Sequence, residues 1–159
     1  MQTMERCIEI TAKGDIPTLL AMAHQPDNEA KVVALVALNI AALDEFLHLN
    51  NRLTEQEIDM VASDVVHVYG GALSFADLNI ILTNARRGVY GRFYERLSGS
   101  DILSWVADYY EQRLNECATR TRYEHESRGE RQREKGVTLS DAAFRIFKEQ
   151  LQHQQQKNS

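Results

Sequence analysis

Apolar positions recur at spacings of three and four along most of the chain, and the breaks between these runs carry helix-capping residues. Met4, Cys7, Ile8 and Ala12 mark one face of a first helix over residues 3–13, closed by Gly14. Asp15 is suited to cap a short second helix with Pro17 in its first turn, where a missing N–H costs little. Pro26 and Asp27 open a third helix that reaches Leu47. From Val32 to Leu43 its only polar residue is Asn39, a pattern that places it at the centre of a bundle.

Thr54 with Glu57 forms a capping box, and behind it Ile58, Val61, Ala62, Val65 and Tyr69 share a face until Gly70-Gly71. Ser74 with Asp77 offers a second cap, followed by Phe75, Leu78, Ile81, Leu82 and Ala85, with Gly88 as the C-terminal stop. Ser100, with Asp101 in the first turn, starts a long helix whose stripe is expected at Leu103, Val106, Tyr110, Leu114 and Cys117. Trp105 and Tyr109 lie one turn apart on it, and Trp105 reads as a core anchor before an interface residue. Beyond Thr119 the apolar stripe ends. Arg120 to Lys135 alternates in sign and fits either a solvated helix with Glu–Arg pairs or a frayed segment. Gly136 breaks the run, and Ser140 caps a last amphipathic helix with Ala143, Phe144, Phe147 and Leu151 on one side.

The expected fold is therefore all-α: a single bundle of about six or seven helices with a polar C-terminal extension. Its divisions are a helical core over residues 1–118, a charged extension with the terminal amphipathic helix over 119–151, and a glutamine-rich tail over 152–159 that reads as disordered. The 159 residues suffice for one sizeable core, and two prolines leave little to interrupt helices.

Charge sharpens the picture. The formal net charge of −5 gives no overall basic footprint. Residues 1–70 set four basic residues against eleven acids, whereas residues 113–135 set seven basic against five acidic. An acidic front and a mildly basic back can serve two partners. The apolar run Val32–Leu43 is far short of the roughly 20 residues that span a bilayer, so no membrane partner is expected. Cys7 and Cys117 form no CxxC pair, and the N-terminus lacks the pattern of a secretory leader. Reduced thiols and a cytoplasmic location follow as expectations.

One segment carries more cations and rings than a turn requires. Between Arg86 and Arg96 stand four arginines, three aromatics and two glycines. Guanidinium forks bind phosphate or carboxylate, aromatic rings stack on bases, and Gly88 and Gly91 admit close backbone approach. Asn84, Arg86, Arg87, Tyr90, Arg92, Tyr94 and Arg96 are the candidate residues for a phosphate or partner site. The same cluster also fits a plain helix–turn–helix connection with inward rings and solvated arginines.

Catalytic and metal chemistry finds no motif. Asp64 and His67 stand three apart on a helix, but two ligands do not make a site. The glycines at 70–71, 88, 91 and 99 form neither a P-loop nor a dinucleotide fingerprint. Asp44 and Glu45 are adjacent and splay apart on a helix. No Ser or Cys sits in a nucleophile elbow, and Cys117 falls on a helix stripe. The expectation is a protein without enzymatic activity, cofactor or metal.

The combined motif Phe75-x-Asp77, Asn84-Ala-Arg-Arg-Gly88-x-Tyr90-Gly91-Arg92-x-Tyr94-x-Arg96-Leu97 and Ile102-x-x-Trp105-x-x-x-Tyr109-x-x-x-Arg113 resembles a family of small helical proteins of unknown function encoded by phages and conjugative elements of gut anaerobes, often beside replication genes. The resemblance covers about a quarter of the chain. It implies an accessory protein acting in DNA replication, through a protein partner such as a helicase or primosome component, with DNA as the other candidate ligand. The alternative is an inhibitor of a host nucleic-acid enzyme or defence complex. A transcription regulator is a third reading, with no basic recognition helix in view.

Overall fold

The computed structural model describes residues 3–91 and 96–157. Side chains within 132–144 and 146–157 lie outside the description. Among the described residues the chain is all-α. The helices are α1 (Met4–Ala12), α2 (Leu19–Ala23), α3 (Glu29–Leu47), α4 (Glu55–Asp64), α5 (Phe75–Arg86) and α6 (Gly99–Lys157), and α4 runs directly into a π-helical turn at Val65–Tyr69.

The start signals hold where a hydroxyl and an acid stand three apart. Thr54 accepts from the Glu57 amide while Glu57 reaches back to the Thr54 amide, and Ser74 and Asp77 repeat this at α5. Elsewhere the cap moves. Thr18, not Asp15, caps α2, so Pro17 precedes the cap. The N-cap of α3 is Asn28, and Asp27 turns the chain at φ 57°. At α6, Ser98 takes the role expected of Ser100: its hydroxyl accepts from the Asp101 amide at 3.3 Å, and its own amide donates to Asp101 at 2.9 Å. Asp101 thus sits three residues after the cap and closes a box that Ser100 could not.

Gly88 closes α5 as expected. It takes φ 74°, its amide donates to the Ala85 carbonyl, and the Val89 amide donates to Asn84. This pair of backward bonds satisfies carbonyls that a helix end leaves open.

Two compact units divide the chain, Met1–Glu116 and Cys117–Ser159. In the first, α3 packs against α2, α4, the π-helical turn and α5, and α1 packs on α5. The core gathers Val32, Val36, Ile40 and Leu43 of α3 with Val61, Val65, Val66, Leu78, Ile81, Leu82 and the residues Ile102, Trp105, Val106 and Tyr109 of α6. Each fully buried aliphatic side chain contributes about 1.5–3 kcal/mol. Gly99 permits the close entry of α6, since a β-carbon there would stand 2.7 Å from Val61 Cγ2.

Two expectations are corrected here. First, α3 is central but not buried all round. Leu35, Leu38 and Phe46 are exposed, Leu38 at 65%. Among the described residues of the first unit its neighbours stand on the side that takes Val32, Val36, Ile40 and Leu43. Second, the buried stripe of α6 is rotated from the expected one. Ile102, Trp105, Val106, Tyr109 and Arg113 face inward, while Leu114 is exposed at 44%.

In the second unit, α6 continues through Gly136 and Ser140 to Lys157. The break at Gly136, the separate last helix and the disordered tail over 152–157 are replaced by continuous helix. A glycine in a helix costs only about 1 kcal/mol against alanine, and the surrounding Glu, Arg, Lys and Gln are good helix formers. The described side chains from Thr121 to Glu130 are nearly all exposed. The expected apolar face of Ala143, Phe144, Phe147 and Leu151 lies outside the described side chains. No helix among the described residues is long and apolar enough to cross a membrane.

Candidate functional site

The candidate segment grows from the C-terminal end of α5. Arg86 is the last helical residue and Arg87 its C-cap, and both side chains are exposed. Neither forms an ion pair with another described residue. Cations at a helix C-terminus sit favourably on the negative end of the dipole, which accounts for tolerance of two arginines there.

Asn84 and Tyr90 lie on the inner side of the same corner. Tyr90 stacks flat on Trp105, with ring centroids 4.9 Å apart and an interplanar angle of 8°. Burial pushes its hydroxyl above the ordinary phenol range, and a hydrogen bond with the Asn84 side chain opposes that rise. One ring face of Tyr90 is therefore occupied by Trp105. Asn84 and Tyr90 line a cavity of about 390 Å³ shared with Met4, Ile80, Asp108 and Gln112.

Arg96 points elsewhere. Its guanidinium donates to Glu57 at 2.9 Å, and its backbone bridges Asn51. That contact ties the segment after the turn to the capping box of α4. Arg92 and Tyr94 lie outside the described residues. Of the seven candidates, Asn84, Arg86, Arg87 and Tyr90 share one corner, whereas Arg96 is engaged with α4.

The sequence reading missed a buried polar centre at the opposite end of α5 from this corner. Asp77 is fully buried and uses both oxygens: one accepts from the Ser74 amide and hydroxyl, the other from the Tyr109 hydroxyl at 2.8 Å and Arg113 Nε at 3.2 Å. Arg113 is 5% exposed, and its Nη2 has no hydrogen-bond partner. Burial, then the Asp77 charge, drive the Tyr109 phenol far above its usual range. Cys7 of α1 belongs to the same neighbourhood: burial first, then Asp77, raise its thiol, while Arg113 acts the other way. Both cysteines are free thiols. The signal for this centre was present. Asp77 is the acid of a capping box, and Tyr109 and Arg113 continue the Ile102–Trp105 face at four-residue steps.

No hydrogen bond or ion pair joins Asp64 to His67 among the described residues, although the Asp64 charge adds a little to the rise of the imidazole. His67 bonds instead to Glu29 at 2.9 Å and to the Ser63 carbonyl at 2.8 Å, beside an open groove of about 1000 Å³ bordered by His24, Asp27 and Asp59. The Glu29 hydrogen bond, followed by that to Ser63, raises the imidazole above its ordinary value. Among the described residues no three His, Cys, Asp or Glu side chains are grouped to hold a metal ion.

Comparison of the chain with protein-family models, with curated proteins and with solved structures finds no match in any of the three.

Proposed function

We propose that this chain is a non-enzymatic accessory protein of a phage or mobile element that acts in DNA replication by docking on an acidic face of a helicase or primosome component. The observation that carries this reading is the Arg86–Arg87 corner: two exposed guanidinium groups, without ion pairs to described residues, on a chain of net charge −5. Planar forks of this kind recognise carboxylates bidentately. The stacked Tyr90–Trp105 pair anchors the turn that follows them, so the two cations are presented from a fixed helix end.

DNA phosphate is the other anionic surface such a corner can take. The two are separated by fluorescence anisotropy with single- and double-stranded oligonucleotides across a salt series. Direct DNA binding weakens steeply as salt rises, because each phosphate contact releases counterion. Docking on a protein gives negligible oligonucleotide binding, together with an association with the replication component that the R86E/R87E variant loses. Salt-dependent DNA binding that R86E/R87E loses would replace the protein partner with DNA. Loss of neither association would refute the role of this corner.

A further inference from the structure

We infer that the outward face of α3 is a self-association surface on which a second copy of this chain packs antiparallel about Leu38. The argument starts from three residues at seven-residue intervals, Lys31, Leu38 and Glu45, all exposed on one line along the helix. Ala34, Leu35 and Ala42 are exposed between them, and Phe46 flanks the line at 57% exposure. A seven-residue repeat keeps one seam facing a neighbouring helix.

The register follows from symmetry. A two-fold interface is self-complementary, so each contact occurs twice. Leu38 is the midpoint of Glu29–Leu47. An axis through Leu38 therefore overlaps the two helices along their full length. It sets Leu38 against Leu38, Ala34 against Ala42 of the second copy, and Lys31 against Glu45 of the second copy, once at each end. Neither Lys31 nor Glu45 makes an ion pair with a described residue of its own chain. The alanines allow close approach at the positions between. Asn39 stands at the edge of the face with its amide already bonded to the Leu35 carbonyl at 2.8 Å, so it makes no demand on the seam. A parallel pairing in the same register would instead oppose Lys31 to Lys31 and Glu45 to Glu45. A single helix pair is a small interface, at the weak end of the size range below roughly 1,200 Å² in total, and a dissociation constant in the micromolar range is expected.

Sedimentation equilibrium of the full chain at concentrations from about 1 to 100 µM tests this. A monomer–dimer equilibrium is expected. K31E and E45K alone should each weaken it at least about tenfold, since like charges then meet at both ends. The double variant K31E/E45K should return it close to wild type. L38D should leave a folded monomer. A wild-type chain that stays monomeric throughout overturns the proposal. So do single charge variants that dimerise normally, or a double variant as weak as the singles.

Discussion

Tyr109 donates its hydroxyl to Asp77 across 2.8 Å, and this bond links the third turn of α6 to the first turn of α5. The same carboxylate oxygen takes Arg113 Nε at 3.2 Å, so one buried acid fixes both the start of α5 and the rotation of α6. The rotation matters because it brings Trp105 under Tyr90 and thereby seats the turn after Arg87.

Asp77→Ala should destabilise the protein by about 3–5 kcal/mol, because it strands a buried guanidinium and removes a cap. That is a large part of a total of roughly 5–15 kcal/mol. Arg113→Leu in the same chain should recover part of the loss, since two apolar groups leave no unpaired charge. Urea unfolding of the single and double variants measures the coupling. Strictly additive effects would show that Asp77 and Arg113 do not act as a pair.

The two sides of α3 should respond differently to a charge. Ile40→Asp is expected to unfold the chain, because a carboxylate replaces a fully buried side chain. Leu38→Asp should change stability by less than about 1 kcal/mol at concentrations where the chain is monomeric. Thermal melts followed by circular dichroism distinguish the two.

At Gly88 the backbone angle sets the cost of a side chain. A β-carbon there has room, its nearest neighbour being the Gly91 carbonyl oxygen at 3.8 Å, but φ is 74°. Gly88→Ala should cost about 1 kcal/mol and lower Tm by roughly 2–4 °C. Gly88→Asn should cost less, because asparagine tolerates the left-handed region.

His67 provides a pH test. Its folded pKa is raised above 6.5, chiefly by the hydrogen bond to Glu29. A raised imidazole stabilises the fold when protonated, and that contribution is lost as pH climbs through the folded pKa. The Tm difference between wild type and Glu29→Gln should therefore be larger at about pH 5.5 than at about pH 8.5. NMR titration should place the wild-type imidazole above that of the variant.

Much of the architecture was legible because local chemistry and burial agree. Thr54–Glu57, Ser74–Asp77 and Gly88 are local signals, and the structure uses them as read. The outward turn of Leu35 and Leu38 was not legible, since periodicity in a run this apolar does not tell which side has neighbours. The rotation of α6 was missed because Leu114 and Cys117 extend one apolar stripe while Arg113 extends another. Only the pairing with Asp77, thirty-six residues away, shows that the arginine is the inward one. At the candidate corner the density of arginines was visible, but the diversion of Arg96 to Glu57 depends on a contact thirty-nine residues back.

The functional reading turns on what the Arg86–Arg87 corner holds. Affinity capture from the native host, with mass spectrometry of the retained proteins, compares wild type with R86E/R87E after melts have verified that both are folded. The reversal should leave the fold intact, with a stability loss of about 1 kcal/mol or less from the helix end. Recovery of a helicase or primosome component with wild type, and its loss with the reversal, is the predicted result. An identical set of retained proteins from both chains would contradict the account.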